Sequence, residues 1–345
     1  MKPSDSVVPD RSKNENEALR LVVTTEPGRE GFELLNPEVE VQEKKWEVII
    51  NPPVPIEADF WIVFGNARPV DRMFVAPQNT LLIVQEPEEK KIYPKKYYRQ
   101  FNNLVDTHSK SGHPRCELHA PCFDWHVGID HSIKAYRYGY QYLVSLPRPH
   151  TFKNKISVVC SDARRTKGQI ERLEFLEALK GLIGERIDHF GRGFNPVRDK
   201  MDAIYGYRAH LVLENCSAPH YWTEKLADAY LGWAYPVYYG CPNVLDYFPE
   251  QSIAQLHSLD PSRAAQIIQQ ILDGPDEDPA HFDVSVVRNL VLNQFNPFSA
   301  WIRWADERYV GDLPRKWVTL RSHKAYRPFP MNLIFRAKHG LHSSG

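Results

Sequence analysis

The 345-residue chain reads as an α/β protein built from two Rossmann-like domains facing one another across a cleft. Three observations predict this. Short apolar runs of strand length alternate with amphipathic stretches of helix length in both halves, as expected of parallel sheets covered by crossover helices. The length suits two domains of ordinary size, each able to bury its own core. Polar residues also gather at 214–225, where an apolar run hands over to a helical pattern, and in open α/β sheets ligands lie outside the carboxyl ends of the strands.

Residues 1–17, rich in Ser, Asp, Asn, Lys and Pro, are expected to be disordered. The first domain, 18–150, is assigned strands at 21–25, 46–50, 60–64, 81–85 and 104–107. A link through Leu146-Pro147-Arg148-Pro149-His150 leads to the second domain, 151–310, with strands at 156–160, 186–190, 209–213, 235–239 and a short one at 252–256. Its helices are placed at 172–182, at 261–272 after the cap Asp260, and at about 283–310. Residues 311–345 form a basic aromatic extension, with Arg315, Lys316, Arg321, Lys324, Arg327, Arg336 and Lys338 against Asp312 alone, a local net charge of +6. That extension could rest on an anionic lipid or lipopolysaccharide surface, or be packed on the core by Trp317, Tyr326, Phe329 and Phe335.

Lys plus Arg equals Asp plus Glu at 43 each, so nothing in the charge calls for a nucleic acid partner. Five scattered cysteines, an odd count, fit a reducing compartment better than a disulfide framework. No apolar run approaches the roughly 18 residues of a membrane span, and the first residues carry no apolar signal core. The expectation is a cytoplasmic protein, soluble or peripheral at the inner face of the membrane.

The functional signal lies at 209–243. Residues 209–213 are a mostly apolar run that ends at Glu214 and Asn215. Thr223 is a good N-cap, Glu224 and Lys225 fall in the first helical turn, and Leu226, Ala229 and Tyr230 recur at helical spacing. The unpaired N–H groups of such a helix start favour an anion, and the diphosphate of a sugar nucleotide would fit there. A second strand pattern, Tyr235-Pro236-Val237-Tyr238-Tyr239, ends in the turn Gly240-Cys241-Pro242.

Together, Glu214-Asn215, Tyr221, Thr223-Glu224-Lys225, Asp228-Ala229-Tyr230 and the run Pro236 to Pro242 resemble the donor-binding signature of the α-1,3-fucosyltransferases, glycosyltransferase family ten. Two further stretches are similar to family motifs. Arg172-x-x-Phe175-x-x-x-Leu179 resembles the family's Arg-containing helix, whose Arg contacts the donor diphosphate; Arg suits this because its planar fork binds phosphate oxygens bidentately. Thr80 to Pro87 resembles the strand whose terminal Glu is the family's proposed general base, here Glu86, although Pro87 follows directly where the family has Ser-Pro.

The resemblance implies the GT-B fold and an inverting transfer of L-fucose from GDP-β-L-fucose to a glycan hydroxyl, α-1,3 to GlcNAc or a related sugar of lipopolysaccharide. Glu86 and Glu224 are then the catalytic carboxylates. Arg172, Glu214, Asn215, Tyr221, Thr223, Glu224 and Lys225 bind the donor, and no metal or other cofactor is required. Another nucleotide sugar, or an inactive glycan- or nucleotide-binding homologue, is the alternative.

Four other features compete for attention. Arg164, Arg165 and Lys167 could steer an anionic donor or simply be solvated. His108, His113, Cys116, His119, Cys122 and His126 have the side chains for zinc but not a standard spacing. Gly191-Arg192-Gly193 lacks the third Gly of a dinucleotide loop and is read as a tight turn near the donor site. Asp276-Glu277-Asp278, among prolines, is read as a solvated turn.

Overall fold

The computed structural model describes residues 18–26, 30–37, 46–66, 68–274 and 284–339. The expected disordered tail at 1–17 and Asp276-Glu277-Asp278 lie outside these residues. The chain divides into two compact units, the first drawn from 1–28, 38–121 and 301–345, the second from 29–37 and 122–300. The sequence places the division near residue 150 and a separate extension after 310. The compact units instead part at 121/122, and the chain rejoins the first unit at Trp301.

Unit 1 is built on a six-stranded parallel sheet. Its strands are β1 (Leu19–Thr25), β2 (Trp46–Ile50), β3 (Phe60–Phe64), β5 (Thr80–Ile83), β6 (Asn103–Asp106) and β7 (Cys116–Leu118), in the order β2-β1-β3-β5-β6-β7, while β4 (Val70–Val75) lies outside it. Every residue of β3, β5 and β6 is buried; β3 and β5 are accordingly near-continuous apolar runs rather than alternating ones, whereas β6 buries Asn103 and Asp106 at its two ends. The winding runs from β1 to β2, then reverses to β3 on the other side, so the switch point lies between β1 and β3.

Strand β4 pairs antiparallel with Lys316–Arg321, which makes this part of the basic extension an integral piece of unit 1. Trp317 packs edge-on against Phe74 at 5.4 Å, and the Arg72 guanidinium lies 4.5 Å over the Trp317 ring. Arg315 is ion-paired to the buried Glu57 and Asp59. The sequence pattern missed β4 because its buried face includes Asp71, whose carboxylate accepts a 2.7 Å hydrogen bond from Thr24 Oγ1.

Unit 2 opens with a small antiparallel hairpin, β8 (Ile129–Asp130) and β9 (Ala135–Tyr136), that the apolar periodicity does not reveal. Its main sheet is parallel and contains β10 (Lys153–Val159), β11 (Ile187–Phe190), β12 (Tyr207–Leu213), β13 (Tyr235–Tyr239) and β14 (Ala254–Gln255), in the order β11-β10-β12-β13-β14. This order again reverses after two strands, here between β10 and β12.

The helix after β10, Lys167–Ile183, starts at a capping box formed by Thr166 and Gln169 and buries Leu173, Phe175, Leu176, Leu179 and Ile183. The helix Pro261–Asp273 starts as expected, with Asp260 accepting from the N–H groups of Ser262 and Arg263. The single helix expected at 283–310 is broken into Ser285–Asn289, a π-turn at Leu290–Gln294 and Pro297–Arg308. Pro297 has no N–H to continue the ladder, and the Asn296 side chain accepts from the Phe298 N–H to start a new helix.

Candidate functional site

The switch point of unit 2 brings the carboxyl ends of β10 and β12 side by side, the position where doubly wound sheets take their ligands. Glu214 follows directly on β12, and its carboxylate is fully buried. It accepts hydrogen bonds from Thr223 N at 2.8 Å, Thr223 Oγ1 at 2.9 Å and Lys225 Nζ at 3.1 Å. Glu214 thereby ties the end of the strand to the start of the helix Glu224–Leu231 across the intervening loop. Gly240, at the end of β13, makes room for it: a Cβ there would lie 2.5 Å from Glu214 Cγ and 2.5 Å from Tyr238 Oη.

Lys225 donates in three directions, to Glu214, to Thr223 Oγ1 at 3.0 Å and to Glu224 Oε1 at 3.2 Å. Burial works against its charge, yet Glu214 and Glu224 outweigh that and hold its pKa above the ordinary lysine value. Burial pushes the Glu214 carboxyl up against the pull of Lys225. For Glu224 the balance is reversed: Lys225, His126 and Lys200 overcome burial and hold it well below the usual carboxylate range. His126 Nδ1 is 3.7 Å and Lys200 Nζ 3.9 Å from Glu224 Oε1.

One helical turn on, Asp228 is buried and fixes the same region from below. Its carboxylate accepts from the backbone of His126 at 2.7 Å and Val127 at 3.0 Å, and from Lys200 Nζ at 2.7 Å. Lys200, Asp228 and His126 are the residues of this network that sequence reasoning did not assign to the site. Asp228 carried a signal as part of the Asp-Ala-Tyr run, and His126 was marked only as one of the His/Cys side chains at 108–126; Lys200 arrives from a distant segment with no local pattern to mark it.

Arg172 reaches the same junction from the Lys167–Ile183 helix. It is buried, and its Nε and Nη1 donate to the carbonyls of Gly168 at 3.2 Å and Leu213 at 3.1 Å. The start of this helix presses on the Glu214 loop: a Cβ on Gly168 would lie 2.1 Å from the Asn215 carbonyl oxygen, so only Gly fits. Asn215 itself is exposed. Tyr221 is buried and packs edge-on against Phe123 at 6.1 Å. Gly191 and Gly193 form a tight turn with φ of 125° and 87°, pressed against the Cys160 carbonyl and the Asp162 side chain that follow β10. Arg164, Arg165 and Lys167 are exposed on the loop and helix start beyond β10.

Of the sequence-predicted set, Glu214, Thr223, Glu224 and Lys225 form one hydrogen-bonded cluster with Arg172 beside it. Glu86 belongs to unit 1, two residues beyond a fully buried run, and pairs with Lys90 at 2.7 Å. The His/Cys segment is divided between the units after residue 121. Among the described residues no group of three or more His, Cys, Asp or Glu side chains is placed to hold a metal ion.

This site falls inside a segment with a recognisable relative. Residues 152–283 match the model of the glycosyltransferase family 10 (fucosyltransferase) C-terminal domain. Over 65 residues the chain is 35% identical to the alpha-(1,3)-fucosyltransferase FucT of Helicobacter pylori, a match covering 19% of this chain and 13% of that relative. Among solved structures, an α1,3-fucosyltransferase aligns over 88% of this chain and 94% of its own at 16% identity and a TM-score of 0.46. An α1,3-fucosyltransferase structure with GDP-fucose aligns over 99% of this chain and 95% of its own at 17% identity and a TM-score of 0.41. A TarM variant from S. aureus aligns over 66% and 50% at 11% identity and a TM-score of 0.40.

Among the described residues no helix is long and apolar enough to cross a membrane.

Proposed function

We propose that the chain is an inverting glycosyltransferase that moves L-fucose from GDP-β-L-fucose to a hydroxyl of a glycan acceptor. The observation that carries this reading is the coincidence of the family 10 segment with a built site at the unit 2 switch point, where Glu214 locks Thr223 and Lys225 at a helix start. In this reading the diphosphate lies against that helix start, with Lys225 and Arg172 supplying fixed positive charge and Asn215 and Tyr221 bordering the pocket. The acceptor oxygen forms a bond to C1 of fucose as the C1–O bond to GDP breaks. The leaving GDP takes the electron pair, and its growing charge is met by cations already in place. Glu86 takes the acceptor's proton, and the product is an α-linked fucoside. The chemistry calls for no metal, because Lys225, Arg172 and the helix N–H groups carry the electrostatic role.

The acceptor assigned to this reading is GlcNAc or a related sugar of a lipopolysaccharide, linked α-1,3, met at the cytoplasmic face of the membrane. Melting temperatures measured with GDP, UDP, CMP and ADP test the donor. GDP at about 100 times its dissociation constant adds about 2.7 kcal/mol of stability. Equal stabilisation by UDP and GDP sinks the guanine assignment, and GDP binding without GDP-fucose turnover would leave only a binding protein.

A further inference from the structure

A second cavity, of about 540 Å³, opens entirely within unit 1. Thr25, at the end of β1, and Asn66, just past β3, both line it, so it sits at the switch point of this sheet, the counterpart of the donor position in unit 2. Its volume is within the ordinary range of small-molecule sites.

The charge of its wall is one-sided. Arg68, Lys91, Lys324 and Arg327 line it against the single carboxylate of Glu26. Among the described residues none of these four cations is within ion-pair distance of a carboxylate, whereas Arg315 and Arg308 of the same unit are both paired. Arg68 donates to the Pro52 carbonyl at 3.1 Å, and Lys91 donates to the Asn66 side-chain oxygen at 3.4 Å and lies 4.5 Å over the Tyr93 ring, so neither charge is neutralised by these contacts. His323, also in the wall, is pushed down to about 4 by burial and by Lys91, Arg327 and Lys324, so it stays neutral and the three cations converge on one place. Like charges gathered around a concavity repel one another, and an entering anion relieves that repulsion.

The donor signature belongs wholly to unit 2, which leaves this cavity for the other substrate. We propose, resting on the transfer reaction above, that it receives an anionic group of the acceptor glycan, a phosphate ester or a carboxylate, held by Arg68, Lys91, Lys324 and Arg327. The polar walls at Thr25, Asn66 and Ser322 supply hydrogen-bond partners for sugar hydroxyls. A concave site of this kind suits a sugar substituent better than a flat bilayer surface.

The whole chain is titrated with N-acetylglucosamine phosphate, glucuronic acid, neutral N-acetylglucosamine and inorganic phosphate, alongside the double variant Lys324→Gln/Arg327→Gln. Both substituted residues are exposed, so the variant keeps its fold, and an unchanged melting response to GDP verifies it. The expected result is binding of at least one anionic sugar and not of the neutral one, weakened at least tenfold by the double substitution and by raised salt. Three results overturn the proposal: no variant-sensitive binding of either anionic sugar, inorganic phosphate binding as tightly as the sugar phosphate, or variant-sensitive binding to phosphatidylserine vesicles alone. Variant-sensitive anionic-sugar binding in a wild type that never turns over GDP-fucose would sink the transfer reading and leave the anion site standing.

Discussion

Replacing Lys225 by Met removes the one cation that, among the described residues, pairs with Glu214, and the structure sets the size of the penalty. Glu214 is fully buried and keeps only the N–H and O–H of Thr223 once the 3.1 Å contact to Lys225 is gone. Breaking a buried pair from one side costs about 3–5 kcal/mol. The two remaining Thr223 hydrogen bonds place this case near the lower end, about 3 kcal/mol. For a unit of this size that lowers the melting temperature by about 6–12 °C.

The sign of the pH dependence follows from Glu214. An acid whose folded-state pKa lies above its unfolded value costs nothing below the unfolded value, and the cost grows as pH rises through the folded one. Burial already pushes the Glu214 carboxyl up, and losing Lys225 pushes it further. The deficit of Lys225→Met relative to wild type is therefore larger at pH 8 than at pH 4.5. Adding Glu214→Gln, which removes the stranded charge but still accepts from Thr223, recovers about 2 kcal/mol of the loss. The assay is thermal or urea unfolding of the three proteins at both pH values. A single variant that melts within about 2 °C of wild type, or a double variant no better than the single, refutes the reasoning. GDP titration of the refolded double variant then separates the two roles of Lys225: full binding there means that the lysine only closes the junction.

Arg172→Ala is expected to lose about 100-fold in kcat/KM with GDP-fucose, because a fixed cation beside the leaving group is gone; wild-type kinetics in a folded variant remove Arg172 from the site. Glu86→Gln is expected to bind GDP unchanged but to transfer at about one hundredth of the wild-type rate, and more than about a tenth of wild-type turnover would send the search for a base to Glu88 and Glu89. Glu224→Gln is expected to bind GDP at least as tightly as wild type, since a carboxylate that competes for Lys225 is neutralised; calorimetry showing weaker GDP binding would reverse that assignment.

The junction at 214–225 was legible because local chemistry encodes it: a buried apolar strand must end somewhere, and Thr223 announces a helix start. The strands at 60–64 and 235–239 follow from the same logic, since a doubly covered parallel strand is a near-continuous apolar run. Strand β4 was invisible because Asp71 occupies a core position, made tolerable by Thr24 from a segment 47 residues away. The unit boundary at 121/122 coincides with no change in composition. Nor does the sequence announce that Trp301 lies against Phe64 of unit 1, with ring centroids 5.2 Å apart, while Ala300 belongs to unit 2. Such facts are long-range and have no local signature. The basic charge of the C-terminal stretch was plain in the sequence, but its division between the paired Arg315 and Lys324 and Arg327, which pair with no carboxylate among the described residues, required the fold.

In the proposed transfer, the diphosphate would meet a site whose cations already have partners. All three donors of Lys225 are engaged, so an incoming phosphate oxygen must displace one acceptor. Glu214 is fully buried and anchored by Thr223, whereas the Glu224 side chain is 16% exposed and has Lys200 and His126 nearby as alternative partners. Moving Glu224 costs little, because its charge passes from one cation to another without being stranded; moving Glu214 would leave a carboxylate unpaired in the core. In the proposed reaction Glu224 is thus the group that would yield, and once released from Lys225 it would stand at the helix start beside the diphosphate, where it could meet positive charge developing on the departing sugar. On that proposal donor binding and placement of this carboxylate would be one event, which would give the Glu-Lys pair at the first helical turn a reason to be adjacent.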